Sequence, residues 1–172
     1  MKKLFPGVTA VVSGAVTAAI GTVMNAFLIP RIEQNTGGIR CFDMNFGYTC
    51  EEAQRFLSLA GEEGRRVYLS MQLPLDFVYP LAYALFFVSL FVILTKKKTK
   101  LAALPIALAA ADYAENILVE AMLRSSPLSS AVVSAASVFT VIKTVLLYTV
   151  IIITLALVVR AAVRAKKAKR EE

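Results

Sequence analysis

The chain has 172 residues, of which 58 % are hydrophobic, and a mean hydropathy of +0.66. Soluble domains carry roughly 45–50 % apolar residues, so a disordered chain is excluded and a membrane protein is expected rather than a soluble enzyme. The formal charge is +7, with no histidine and two cysteines. That composition excludes bis-histidine haem, histidine-ligated zinc, Ser-His and Cys-His dyads and an all-cysteine zinc site, so neither a cofactor nor a metal is implied.

Four apolar stretches reach the roughly 20 residues that cross a bilayer core. They are residues 8–29, stopped by Pro30; 71–94, stopped by Thr95 and the lysines that follow; 101–123, stopped by Arg124; and 131–159, stopped by Arg160. The predicted fold is all-α: a polytopic membrane protein built as an antiparallel four-helix transmembrane bundle. The first stretch follows Lys2 and Lys3, but at about 22 residues it exceeds the roughly 7–15 of a signal-peptide core, and it reads as a retained span. The fourth is longer than a span requires and should tilt or protrude.

Orientation follows from lysine and arginine near the span ends. One side gathers Lys2, Lys3, Lys96, Lys97, Lys98, Lys100, Arg160, Arg164, Lys166, Lys167, Lys169 and Arg170. On the other side the arginines of residues 31–70 are offset by acids. Both termini are therefore expected in the cytoplasm, in a multi-pass protein of the cell membrane. The basic tail should lie against anionic lipid. Nucleic-acid binding is not expected, because no groove-reading motif accompanies the charge.

Residues 31–70 form the one long connection, and should make a small extracytoplasmic helical cap. Asn35-Thr36-Gly37-Gly38 reads as a turn. Thr49-Cys50-Glu51-Glu52 reads as a capping box, opening a helix with Ala53, Phe56, Leu57 and Ala60 on one face. Gly61 should end it, and a second helix from Glu62 should lead into the next span. The apolar face then lies on the bundle mouth or in the interface, as a lid or as a ligand-free interfacial helix. Cys41 and Cys50 both lie in this segment, where a disulfide could persist outside the cytoplasm. A bond closing the loop around Gly47-Tyr48 is expected.

Ionisable residues inside spans are costly and normally face a bundle interior or a wet cavity. Here they are Asp76 in the second span, Asp112, Glu115 and Glu120 in the third, and Lys143 in the fourth, joined by Asn25 and Asn116. Helical spacing places Asp112, Asn116 and Glu120 in one row, with Glu115 adjacent. Gln72, Asp76, Tyr79 and Tyr83 form a stripe, as do Ser137, Thr140, Lys143 and Thr144. Ser13, Thr17, Gly21 and Asn25 align on the first span, beside Gly14, Ala18 and Thr22, and such small residues allow close helix approach. At about 1.5 Å per residue, Asp112 lies roughly 16 Å from one end of its span and Lys143 roughly 18 Å from the other end of its own, so the two can pair near the midplane. The polar residues form a wedge open to one side, above an apolar inner half. Asp76, Asp112 and Glu115 outnumber Lys143, so at least one carboxyl should hold a proton or a cation. Pro80 should free a backbone carbonyl near Asp76.

The string Gly47-Tyr48-Thr49, Leu57, Leu59, Gly61, Gly64-Arg65, Tyr68, Asp76, Tyr79-Pro80, Tyr83-Ala84, Asp112 and Glu115-Asn116 resembles a family of uncharacterised bacterial four-span membrane proteins. It covers most of the chain and implies no activity. The architecture is also loosely similar to EXPERA-type four-helix proteins, the sterol isomerase and the sigma-2 receptor, through Asp76, Tyr79, Pro80 and Tyr83. That likeness implies an amphiphilic amine or sterol held between helices. The chain departs from it in having no histidine for isomerase chemistry, and in Lys143, which has no counterpart.

The leading expectation is an outward-facing intramembrane pocket for a lipid-like or cationic small molecule, formed by Asp76, Tyr79, Tyr83, Asp112, Glu115, Asn116, Lys143 and Asn25. The alternatives are a proton- or ion-coupled transporter or channel subunit acting as a homo-oligomer, and an accessory protein whose polar network only fixes helix packing. No nucleophile–base pair can be read, so an enzyme is the less favoured class.

Overall fold

The computed structural model describes residues 4–96 and 100–170. Lys2, Lys3, Lys97 and Lys98 of the charge pattern lie outside the described residues. All regular structure among the described residues is helical. In chain order it comprises α1 (Leu4–Val23), a π-helical turn (Met24–Leu28), α2 (Ile29–Asn35), a 3₁₀ turn (Phe42–Met44), α3 (Cys50–Val67), a second π-helical turn (Tyr68–Gln72), α4 (Leu73–Thr95), a short 3₁₀ turn (Lys100–Ala102), α5 (Ala103–Arg124) and α6 (Ser130–Ala168). Four continuous helical runs, Pro6–Asn35, Cys50–Thr95, Lys100–Arg124 and Ser130–Ala168, are long and apolar enough to cross a membrane. At 39 residues, α6 is about 58 Å long, nearly twice a core of about 30 Å, so its basic last turns extend beyond the span.

Both π-helical turns have a local cause. Each ends two residues before a proline, Pro30 in one and Pro74 in the other. A proline has no N–H and its ring crowds the carbonyl four residues back. The chain answers with a wider turn: the Ile29 N–H reaches the Met24 carbonyl and the Leu73 N–H reaches the Tyr68 carbonyl, five residues back in each case. The two turns contact each other.

Within residues 31–70 the capping box and the turn at Gly61 fall where the sequence reading put them, whereas the helix expected to stop at Pro30 runs on to Asn35. The Thr49 side chain accepts from the Glu52 N–H at 3.2 Å, and the Glu52 carboxylate accepts from the Thr49 N–H at 2.7 Å. The backbone N–H and the side chain of Thr49 hold the Glu52 carboxyl below the usual range. Its contribution to the cap is thus present at neutral pH and is lost as pH falls through that lowered value. Thr49→Ala is expected to cost about 1 kcal/mol, read as a lowered unfolding midpoint. At Gly61 the backbone leaves the helical region, with φ 57° and ψ −163°, so α3 turns there and resumes. Ala53, Phe56, Leu57 and Ala60 are all buried, in one core with Ile29 and Ile32 of α2, Val119, Met122 and Leu123 of α5, and Val133 and Ala136 of α6. The amphipathic helix is therefore packed onto the bundle mouth. Arg65 fastens it, donating to the carbonyls of Leu123 and Leu57 at 3.1 and 3.4 Å.

The expected disulfide is not formed; Cys41 and Cys50 are both free thiols. Cys41 sits fully buried in the apolar core just before the 3₁₀ turn, while Cys50 opens α3 behind its N-cap. Burial, reinforced by Asp43, pushes the Cys41 thiol well above its ordinary range, so it behaves as a small hydrophobe. Nine-residue spacing allowed a bond, but local packing separates the roles of the two thiols.

Among the long helices, α1 packs on α4, α4 on α5 and α5 on α6, while α1 and α6 share no extensive interface. The small-residue face of α1 is used against α4: a Cβ on Gly14 would come within 3.0 Å of the Phe86 ring, and one on Gly21 within 3.4 Å of the Tyr79 hydroxyl.

Candidate functional site

Pro80 organises the site. Without its N–H, the carbonyl of Asp76 loses its intrahelical donor. Asn116 of α5 supplies one, its side-chain amide donating to the Asp76 carbonyl at 2.9 Å. Next to it, the Tyr113 hydroxyl donates to the Phe77 carbonyl at 2.9 Å. The proline thus fixes the register of α4 against α5. Asn116→Leu is expected to leave the Asp76 carbonyl unpaired and cost about 1–3 kcal/mol. In a Pro80→Ala background the restored N–H takes over, and unfolding measurements should show a much smaller loss.

Lys143 of α6 reaches into the same region. Its ammonium contacts the Glu115 carboxylate directly and lies 3.7 Å from Asp112 Oδ1. Spacing alone suggested Asp112 as its partner; the closer partner is Glu115, whose side chain is fully buried. Thr140 donates to the other Glu115 oxygen, and Tyr83 donates to Asp112 Oδ2 at 2.9 Å. Asp76 makes no direct ion pair among the described residues: Lys143, on the same cavity wall, is engaged by Glu115 and Asp112, and Asp76 accepts a 3.4 Å hydrogen bond from Gln72. The Gln72 carbonyl oxygen is buried with no hydrogen-bond partner.

A cavity of about 500 Å³ opens beside this network. Of the residues singled out from sequence, Asp76, Tyr79, Tyr83, Asp112, Lys143 and Asn25 line it. Glu115 and Asn116 do not; they stand behind the wall, one holding Lys143 and the other holding the backbone of α4. Asn25 keeps its amide on the Gly21 carbonyl at 2.8 Å. The apolar lining comes from Phe86 and Phe87 of α4, Leu108 of α5, and Leu147 and Ile151 of α6. Below it Phe91, Leu108, Ala109 and Val150 close the bundle.

Sequence reasoning missed Asp43 and Met44, which also line the cavity. They come from the 3₁₀ turn, where no helical periodicity announces a direction. The only available signal was an acid flanked by Phe42 and Met44 in a segment bound to fold over the bundle. Asp43 accepts from the Tyr68 hydroxyl at 3.0 Å. Counting Asp43, Asp76, Asp112 and Glu115 against Lys143, the region holds one cation and four carboxyls among the described residues. No group of three metal-ligating side chains occurs among the described residues.

No family model, no curated protein and no solved structure matches the chain. The geometry alone carries the functional argument.

Proposed function

We propose that this is a small integral membrane protein whose intramembrane cavity binds a cationic, lipid-like small molecule. Its spans run antiparallel, as short connectors between neighbouring helices favour. The charge pattern supports a reading with both termini in the cytoplasm and the segment 31–70 as a cap on the far side of the cell membrane. One observation carries the binding reading: Asp76 lines a ligand-sized cavity, is 8 % exposed, and makes no direct ion pair among the described residues, the ammonium of Lys143 being held by Glu115 and Asp112. Pockets of roughly 300–1,000 Å³, largely apolar with a few convergent polar groups, are the usual form of small-molecule sites. A buried carboxylate is costly unless paired, and an ammonium is the partner this one lacks. The apolar layer of Phe91, Leu108 and Val150 argues against a continuous polar path, and so against the transporter reading.

The test compares hexylammonium with hexanol on protein in nanodiscs. Hexylammonium is expected to raise the unfolding midpoint saturably, with stabilisation of about 2.7 kcal/mol at one hundred times its Kd. Equal shifts from the alcohol, or none from either, would overturn the proposal.

A further inference from the structure

We infer that the occupant is a single-chain, phosphate-free amphiphile. Its ammonium head sits at Asp76 and Asp43, and its chain leaves through the cleft between α1 and α6 into the bilayer. The inference rests on the cation-binding reading above and adds the ligand's class and pose.

Packing sets the route. Helix α1 is held by α4, and α6 by α5, so the cavity has a wall on each side but no extensive α1–α6 interface to close it. Thr17 and Gly21 line it from α1; Leu147 and Ile151 line it from α6. Leu147 and Ile151 each leave 37 % of their surface uncovered while lining the cavity, so they form its rim. Apolar side chains at that position in a span face acyl chains.

At the opposite end the loop that follows α2 is fastened to α6, and the cavity meets it at Asp43 and Met44. Gly47, at φ 86°, packs so closely that a Cβ would lie 3.2 Å from both Ser137 and Val141. The Tyr48 N–H donates to Ser137 Oγ at 2.8 Å. Asp43 is tied to Tyr68.

The head group follows from charge. A phosphate would meet Asp43, Asp76 and Asp112, while the ammonium on the wall, that of Lys143, is already held by Glu115 and Asp112; like charges in a site reject a ligand as firmly as opposite charges select one. Bilayer phospholipids are thereby turned away, although they surround the portal. A primary or quaternary ammonium without phosphate is accepted.

The test is photolabelling of the full chain in nanodiscs with a dodecylammonium probe carrying a diazirine near the end of its chain. Labelled residues are mapped by mass spectrometry, with unlabelled dodecylammonium and dodecylphosphocholine as competitors. Labelling is expected on Ile151, Leu147 and α1 beside Thr17, competed by dodecylammonium and at least tenfold less by dodecylphosphocholine. Asp76→Asn should lower the competable labelling at least tenfold. Asp43→Asn, a second variant, covers the case in which the first fails to fold. Competable labelling confined to Met44, Phe46 and their neighbours would overturn the lateral pose and leave cation binding standing. Equal competition by the phosphocholine would overturn the head-group assignment. No competable labelling anywhere, together with no stabilisation by hexylammonium, would sink both readings; stabilisation without competable labelling would sink the pose alone.

Discussion

Replacing Lys143 by methionine is expected to destabilise the fold by about 3–5 kcal/mol, the scale for removing one partner of a buried ion pair. Glu115 is the reason. Its side chain is fully buried, and its carboxylate is held by Lys143 on one oxygen and by Thr140 on the other. Without the ammonium, a carboxylate would remain in low dielectric with one hydroxyl for company. Adding Glu115→Gln to Lys143→Met should recover most of the loss. Asp112→Asn should recover less, because Asp112 lies 3.7 Å from the ammonium and keeps its bond from Tyr83. A double-mutant cycle from unfolding in bicelles reads the coupling directly. Additive losses would contradict the assignment of Glu115 as the principal partner.

The second large effect is expected at Phe56. It is 2 % exposed, and its ring lies 4.5 Å from Phe42 and 6.3 Å from Tyr68, centroid to centroid. Truncating such a ring costs about 3–5 kcal/mol. The core around Phe56 includes residues of α2, α5 and α6, so Phe56→Ala should lower the unfolding midpoint of the whole bundle. A variant in which residues 50–60 become protease-sensitive while the spans keep their stability would show the helix to be a separate unit. The same substitution loosens the loop carrying Asp43, through Phe42, and should weaken cation binding as well as stability.

The helices were legible because their signals are strong and local. Long apolar runs ended by Lys96 and Arg124 mark helices long enough to cross a membrane, whereas Pro30 ends the apolar run but not the helix, which continues to Asn35. The Thr49–Glu52 box and Gly61 carry their own stop and start chemistry, and both appear where the residues dictate. The stripe Asp76, Tyr79 and Tyr83 was legible for the same reason: a helix turns residue spacing into direction. What spacing leaves undecided is which neighbour a long side chain selects. Asp112 and Glu115 lie nearly one turn apart on α5, and a lysine can reach either. Depth pointed to Asp112; the geometry gives Glu115 the direct contact. Non-helical residues carry no such directional code. Asp43 therefore went unseen as a wall of the cavity, and Cys41 was assigned to a bond although packing keeps it as a buried thiol. The prolines behaved in two ways that sequence alone does not separate. Pro80 is answered from another helix by Asn116, whereas Pro30 and Pro74 are answered within the chain by π-helical turns.

The central claim is that Asp76 is kept for a ligand at some cost to the fold. Placing a charge on a carboxyl buried without a direct ion pair costs stability, and a neutral amide avoids that cost while removing what a cation binds. The direct measurement is to determine, on the same nanodisc preparations, the unfolding midpoint and the hexylammonium affinity of Asp76→Asn beside the unaltered protein. An unchanged or raised midpoint with affinity lowered at least tenfold is the predicted result. A lowered midpoint with unchanged affinity would contradict the claim and make the polar network a device for helix packing alone.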